Sequence, residues 1–418
     1  MKNPFRSALA AAVLLAGTVS LAAAQTTDSL LYVSTGGTMR FRVNNDGGMA
    51  AIGTWNGNEA APGAGGVPVT GAGTRVMWYG GKAAFRAGNV GSFGSTYWDL
   101  ANLGYGSVAF GQNSRASGNY SFAANLATTA SGDESVALGN NGTASADRAF
   151  AFNGTASGVG AVAIGSGAQA TSDDALAMGP SSIAGGLASI VLGPSIANGS
   201  FGVAIGLQNS ASGNFSVAIG KNARTANRQG SIVLGDGCAG FSSDSVYPTA
   251  NNQVIMRGCG GVKIFTTQDI NSSDGGTVAG VELASGGSSW SAVSDRNRKE
   301  NFLTVDGEEI LRRLGTVPVT TWNYKSQDRS IRHMGAMAQD LYAAFGLGES
   351  ELLINSIDMD GVNLAAVQAL TRRTDELRSE NAALRARVAE LETQARANAD
   401  LRTRLERIEA LLAAQAKP

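Results

Sequence analysis

The pentapeptide SVAIG at residues 216–220 recurs as SVAFG from Ser107, SVALG from Ser135, AVAIG from Ala161, and SIVLG from Ser189 and again from Ser231. With degenerate copies between these, the first apolar position falls at Val108, Phe122, Val136, Phe150, Val162, Leu176, Ile190, Val203, Val217 and Ile232, in steps of 12 to 15 residues. Copies at a period near 14 predict a solenoid. Within a copy, Val217 and Ile219 stand two apart and share one face of a short strand, while Ala218 points to the other. Gly220 turns the chain, and Asn209-Ser-Ala-Ser-Gly-Asn214 has the residues of a tight turn and a second short strand. So small a coil encloses little side-chain volume, so the stripe of Val, Ile, Leu and Phe needs a cover. The same stripe on identical chains around an axis provides one and leaves no open sheet edge. The expectation is an oligomeric rod over residues 107–237.

Composition agrees. Of 418 residues 56 are Gly and 8 are Pro, aromatics are 6% and charged residues 16%, which suits a core of alanine and β-branched side chains. Lys plus Arg number 32 against 33 Asp plus Glu, a net charge of −1 that argues against nucleic-acid partners and polybasic membrane binding. In residues 1–24, Lys2 and Arg6 precede an apolar run at Leu9 to Leu15 and then Ala22, Ala23 and Ala24, the pattern of a secretory signal cleaved after Ala24. The mature chain is expected to carry no transmembrane anchor.

Residues 25–106, with Trp55, Trp78 and Trp98 among Gly-rich turns, read as a β-rich cap whose tryptophans belong to its core, and residues 238–290 as a β-rich neck. Export places Cys238 and Cys259 in an oxidising compartment, where they form either one structural disulfide or two separate buried thiols; no zinc site is expected there. From Leu364 the pattern changes. Val367, Leu370, Leu377, Leu384, Val388 and Leu391 follow heptad a and d spacing, with Thr374, Asn381 and Ala395 at further a positions. After a three-residue slip Leu401, Leu405, Ile408 and Leu412 resume the seam, so residues 364–418 read as a coiled coil.

Between neck and coil, residues 291–363 hold Ser294, Lys299 and His333, the single histidine of the chain. A helix is expected at Glu308 to Leu314 and a strand at Val319 to Tyr324. Ser294 and Lys299 lie five apart, on opposite faces of a straight strand, so only a turn brings them together. If they meet, a lysine kept neutral by burial or by Arg296 and Arg298 could deprotonate the serine, giving a Ser/Lys nucleophilic pair. By themselves these residues read as a solvated basic turn.

Two resemblances extend this reading. Residues 107–237 resemble the head repeats of trimeric autotransporter adhesins, which implies a trimeric left-handed parallel β-roll. Those adhesins end in a membrane β-barrel, whereas this chain ends in charged helix at Lys417 and Pro418. VSDRNRKENF, the WNYK strand, RHMGAMAQDLYAAF and SIDMDGVNLAAVQAL together resemble the intramolecular chaperone domain of endosialidase tailspikes. That resemblance implies a small α+β domain that trimerises the chain, helps fold the fibre ahead of it and cuts itself off before the motif serine. Ser294 would then be the nucleophile, Lys299 its general base, His333 a supporting residue, and Val293–Ser294 the scissile bond.

The whole reads as a mainly β, exported homotrimeric fibre, adhesin-like and on the cell surface or secreted, with a single-turnover serine peptidase and neither cofactor nor metal. A host receptor or glycan is the expected external partner. The rivals are a glycan-degrading tailspike-like enzyme, for which the charge-poor rod offers few acid pairs, and a trimeric adhesin that is never cut. Asp358-Met-Asp360-Gly361 lacks the later ligands of a calcium loop, the Gly-x-Gly pairs precede no long helix, and the sequons at Asn141 and Asn153 follow from composition.

Overall fold

The computed structural model describes residues 29–54, 66–238, 244–267 and 279–415. The expected signal segment and Trp55 lie outside them. The chain divides into two units, residues 1–261 and 262–418.

The first unit is dominated by a parallel solenoid of two sheets. One has thirteen strands running from Gly73–Tyr79 to Val254–Met256, and the other has eight two-residue strands running from Arg115–Ala116 to Ser210–Ala211. The ten apolar positions read from the repeat are the first residues of ten consecutive strands of the larger sheet.

Each letter of the motif has a physical task. The serine is buried and closes the turn before its strand: Ser121, Ser135 and Ser216 each donate through Oγ to the carbonyl three residues back, at 2.6 Å. The central alanine faces inward. Ala109, Ala123, Ala137, Ala151 and Ala163 stack in register, and with Ala116, Ala130, Ala144 and Ala156 of the opposing sheet they are completely inaccessible. The terminal glycine is needed twice over. Gly206 and Gly220 have φ of 115° and 104°, and a Cβ on either would lie 2.1 and 1.8 Å from a carbonyl oxygen of the next rung.

The two remaining letters point outward. One column runs in register from Trp78 and Phe85 through Val108, Phe122 and Val136 to Val217, Ile232 and Val254. A second runs through Phe110, Ala124, Leu138, Phe152, Ile164, Met178, Leu192, Ile205, Ile219 and Leu234 to Met256. At about 4.8 Å per strand the first column is roughly 58 Å long. Its members are half-buried or exposed in a single chain; Ile190, for example, is 37% exposed.

The two ends are closed by different means. At the N-terminal end an antiparallel hairpin, Gly73–Tyr79 with Ala84–Val90, begins the sheet, and Arg86 occupies the place taken by alanine in the next rung. Its buried guanidinium donates to the carbonyls of Phe85, Ser107 and Ala116 at 2.8 to 2.9 Å and to Ser107 Oγ, and burial pushes its pKa down to about 10, which leaves it a cation at neutral pH. Trp98 lies in the cap's core as expected, donating to the Ser114 carbonyl at 2.9 Å. Trp78 does not. Register places it at the head of the outer column, 40% exposed. A separate three-stranded antiparallel sheet spans Ser29–Thr35, Thr38–Asn44 and Met49–Ala51.

At the other end Cys238 and Cys259 are joined in a disulfide just beyond the paired strands Ile232–Gly235 and Val254–Met256, and both residues are exposed, which corrects the alternative of two buried thiols. Asp236 accepts from Cys259 N–H at 2.6 Å and from Arg257 Nε at 2.9 Å. The Cys259 amide first and Arg257 second hold its carboxyl below the usual carboxylate range, against an opposing cost of desolvation. Asp236 and the two sulfurs lie close enough together to suggest a metal site, but the sulfurs are spent on each other.

Among its described residues the second unit contains a three-stranded antiparallel sheet, Val262–Phe265, Gly280–Leu283 and Ser291–Ala292, a two-stranded one, Thr320–Trp322 with His333–Gly335, and three α-helices. These are α1 (Gly307–Leu314), α2 (Ala338–Phe345) and α3 (Ser356–Gln415). Asp306 caps α1 by accepting from the amides of Glu308 and Glu309. Glu308 pairs with Arg373, so α1 is tied to α3, while Arg313 reaches the Ala344 carbonyl of α2. Among the described residues of the unit, the buried apolar ones are Val362, Ala366 and Ala369, on the first turns of α3. Past them the a and d residues from Leu370 to Leu412 are exposed. α3 starts at Ser356, before the heptads, because Asn355 Oδ1 accepts the Ile357 amide. Among the described residues no helix is long and apolar enough to cross a membrane.

Candidate functional site

The chain enters the Ser294 region from the strand Ser291–Ala292, which pairs with Gly280–Leu283, and Val293 donates its N–H to the Gly280 carbonyl at 3.0 Å. Asp295 then caps a 3-10 turn at Arg296–Arg298, accepting the Asn297 amide at 3.0 Å, and Lys299 N–H closes onto the Arg296 carbonyl. The turn reverses the backbone between two residues that a straight strand would hold apart. Lys299 Nζ comes to 2.6 Å from Ser294 Oγ, within hydrogen-bond distance. Both side chains are exposed in a single chain, and Val293 is half-buried.

The flanking arginines are directed elsewhere. Arg298 faces Asp295 at 3.9 Å, and the Arg296 guanidinium lies over the Phe302 ring at 6.0 Å. On α1, Glu309 is bound by Arg312 and Arg313, whose guanidinium hydrogen bonds bring its carboxyl down to about 2. It serves the helix and is not poised as an acid.

His333 occupies a second cluster. It begins its strand directly opposite Trp322, and its ring lies 4.8 Å from that indole and 5.6 Å from Tyr324, centroid to centroid. Nε2 is 2.9 Å from Gln327 Oε1. Among the described residues no hydrogen bond links His333 to Ser294 or Lys299. The fold therefore brings two of the three expected residues together and houses the third in an aromatic pocket. Trp322 and Tyr324 could have been read from the sequence as a pair, since the strand expected at Val319 to Tyr324 would put both on one face, although the strand itself ends at Trp322 and Tyr324 lies just beyond it. Gln327 left no such signal.

The solenoid presents a different chemistry. Asp133, Asp147 and Asp173 accept the backbone amides of Asn119, Asp133 and Val159 of the preceding rung, at 2.8 to 3.0 Å. Those carboxylates hold turns. A glycosidase would need a pair facing one groove with a water or sugar between them.

Residues 294–346 match the chaperone of endosialidase. This is the peptidase S74 family, whose members are self-cleaving chaperone domains, and the match opens on Ser294 and includes Lys299 and His333. The YadA head domain repeat matches the solenoid over residues 103–124, 130–152, 156–182, 170–195 and 197–223. The chain thus carries adhesin-type head repeats and an intramolecular-chaperone segment, as the two resemblances implied. No curated protein matches the chain.

Proposed function

We propose that this chain is one subunit of an exported homotrimeric fibre, adhesin-like, whose C-terminal segment assembles three copies and then cuts itself off between Val293 and Ser294. The observation that carries the reading is the 2.6 Å approach of Lys299 Nζ to Ser294 Oγ at the first residue of the family match. Ser294 Oγ attacks the Val293 carbonyl carbon while Lys299 takes the hydroxyl proton. The Val293–Ser294 C–N bond breaks as that proton passes to the Ser294 nitrogen, leaving an ester on Oγ. Water then releases the Val293 carboxylate and the Ser294 hydroxyl. The strand pairing at Gly280 steadies the acyl side of the bond and the Asp295-capped turn steadies the nucleophile.

Only a neutral amine takes up the proton, and removal from water favours that form. In one chain the pair is open to solvent, so closure by neighbouring copies would supply the desolvation and make the cut follow assembly. The outer columns of the solenoid and the a/d seam of α3 support association, since both leave continuous apolar surface on a single chain. Three as the number of copies comes from the family resemblances. Parallel, interchain β structure is slow to nucleate, and a clamp that registers the chains at one end removes part of that entropic barrier. Loss of the clamp after the cut leaves the fibre kinetically trapped. The Ser, Thr and Asn coat of the rod suits a receptor or glycan as external partner.

Intact-mass measurement of the exported product tests the proposal. The wild-type chain should appear as two pieces split before Ser294, and Ser294→Ala and Lys299→Ala should each remain whole while still trimeric. A wild-type chain that stays whole removes the peptidase and leaves an uncut trimeric adhesin.

A further inference from the structure

His333 is the chain's single histidine, and its surroundings define how its ring is presented. Trp322 lies against it at 4.8 Å with planes 30° apart, Tyr324 meets it edge-on at 5.6 Å, and Gln327 Oε1 sits 2.9 Å from Nε2. An amide oxygen can only accept, so the hydrogen of this bond belongs to the imidazole. Gln327 is held by its own turn, its N–H donating to the Tyr324 carbonyl at 3.0 Å, and it is half-buried as His333 is.

We propose that Gln327 is the positioning residue for His333: it fixes the neutral ring as the Nε2-protonated tautomer and leaves Nδ1 as the ring nitrogen available for proton exchange or hydrogen bonding in the self-cleavage proposed above. The inference rests on that reading for its use, but the geometry it invokes is separate from the Ser294 and Lys299 pair. The partner of one ring nitrogen sets the chemistry of the other. Here that partner is neutral and does not titrate, so it orients the ring without holding a charge against it. Of the other polar groups nearby, Arg332 donates to Thr321 and Asn323, Asp328 accepts from Ser330, which holds its carboxyl below the usual range, and the buried Trp322 indole N–H has no hydrogen-bond partner among the described residues. Tyr324 meets the ring through its aromatic edge, and Lys325 follows it in the same loop.

The test uses the full-length trimer labelled with nitrogen-15 histidine. In an uncut Ser294→Ala background the single imidazole should show the Nε2–H tautomer, and Gln327→Ala should abolish that preference. In the cleaving chain Gln327→Ala should slow the cut about tenfold, the size of one lost positioning hydrogen bond. Gln327→Glu keeps the acceptor and adds a charge that favours imidazolium, so it should restore much of the rate and move the pH profile of cleavage up by about one unit. A merely structural glutamine would leave that profile in place. An Nδ1–H tautomer in the parent, or Gln327→Ala cutting at the parent rate, overturns the proposal. A parent chain that is never cut overturns the self-cleavage reading, and with it Gln327's use, while the histidine signal still judges the pairing independently.

Discussion

Between Val108 and Leu234 each rung of the solenoid hides an alanine or valine inside the chain's own coil, whereas among the described residues between Val262 and Gln415 the buried apolar side chains are Val362, Ala366 and Ala369. The difference does not follow from apolar content. The second unit is rich in Leu, Ile and Val, but Leu352, Leu353, Leu377, Leu384 and Leu405 are all more than half exposed. A β-coil can close on itself because its alanines are small enough for two sheets to meet. A long amphipathic helix cannot bury its own seam. The solenoid has a core that company enlarges, and the C-terminal unit has apolar surface that only company can bury.

The sharpest way to break this contrast is in the helix. Leu377→Lys combined with Leu384→Lys places two charges per chain in a seam whose leucines are 57% and 56% exposed when alone. Each buried leucine is worth about 1.5–3 kcal/mol, so we expect dissociation at micromolar concentration, loss of helical signal and loss of self-cleavage. Unchanged sedimentation would show that chains do not meet there.

A smaller effect is expected inside the solenoid. Ala137 is completely buried and in register with Ala123 and Ala151, so Ala137→Leu should cost about 1–3 kcal/mol per chain through overpacking. The adjacent Val136→Leu, on the outward column, should shift the calorimetric midpoint less. Equal shifts would contradict the assignment of inner and outer faces.

The most local effect should come from reducing Cys238–Cys259. The bridge spans a sequence separation of 21, for which chain entropy gives about 3 kcal/mol, but it clasps only the last rung. Hydrogen exchange should quicken at Val254–Met256 and stay unchanged at Val136–Asn140. Exchange that quickens along the whole solenoid would mean that the rungs are coupled from end to end.

Much of the solenoid is legible in the sequence. The spacing of Val108, Phe122, Val136 and their successors located ten strand starts, because a strand alternates its side chains whatever surrounds it. α1 and the Thr320–Trp322 strand were legible from their local patterns as well. The candidate site was legible only through resemblance, since a serine and a lysine five apart carry no signal until a turn joins them. Trp78 was misplaced because its surroundings depend on pairing with Phe85, and Arg86 could not be foreseen in a column of alanines.

From the sequence alone came the period, the inward alanines and the outward stripe, all consequences of backbone geometry repeated every rung. Only the folded chain decided how the solenoid ends, at Arg86 and at the Cys238–Cys259 clasp, how Ser294 meets Lys299, and which atoms surround His333. Those features rest on single contacts between residues that no periodic rule relates. Their geometry depends on turns whose backbone angles are selected by the packing around them, not by the residues' own preferences.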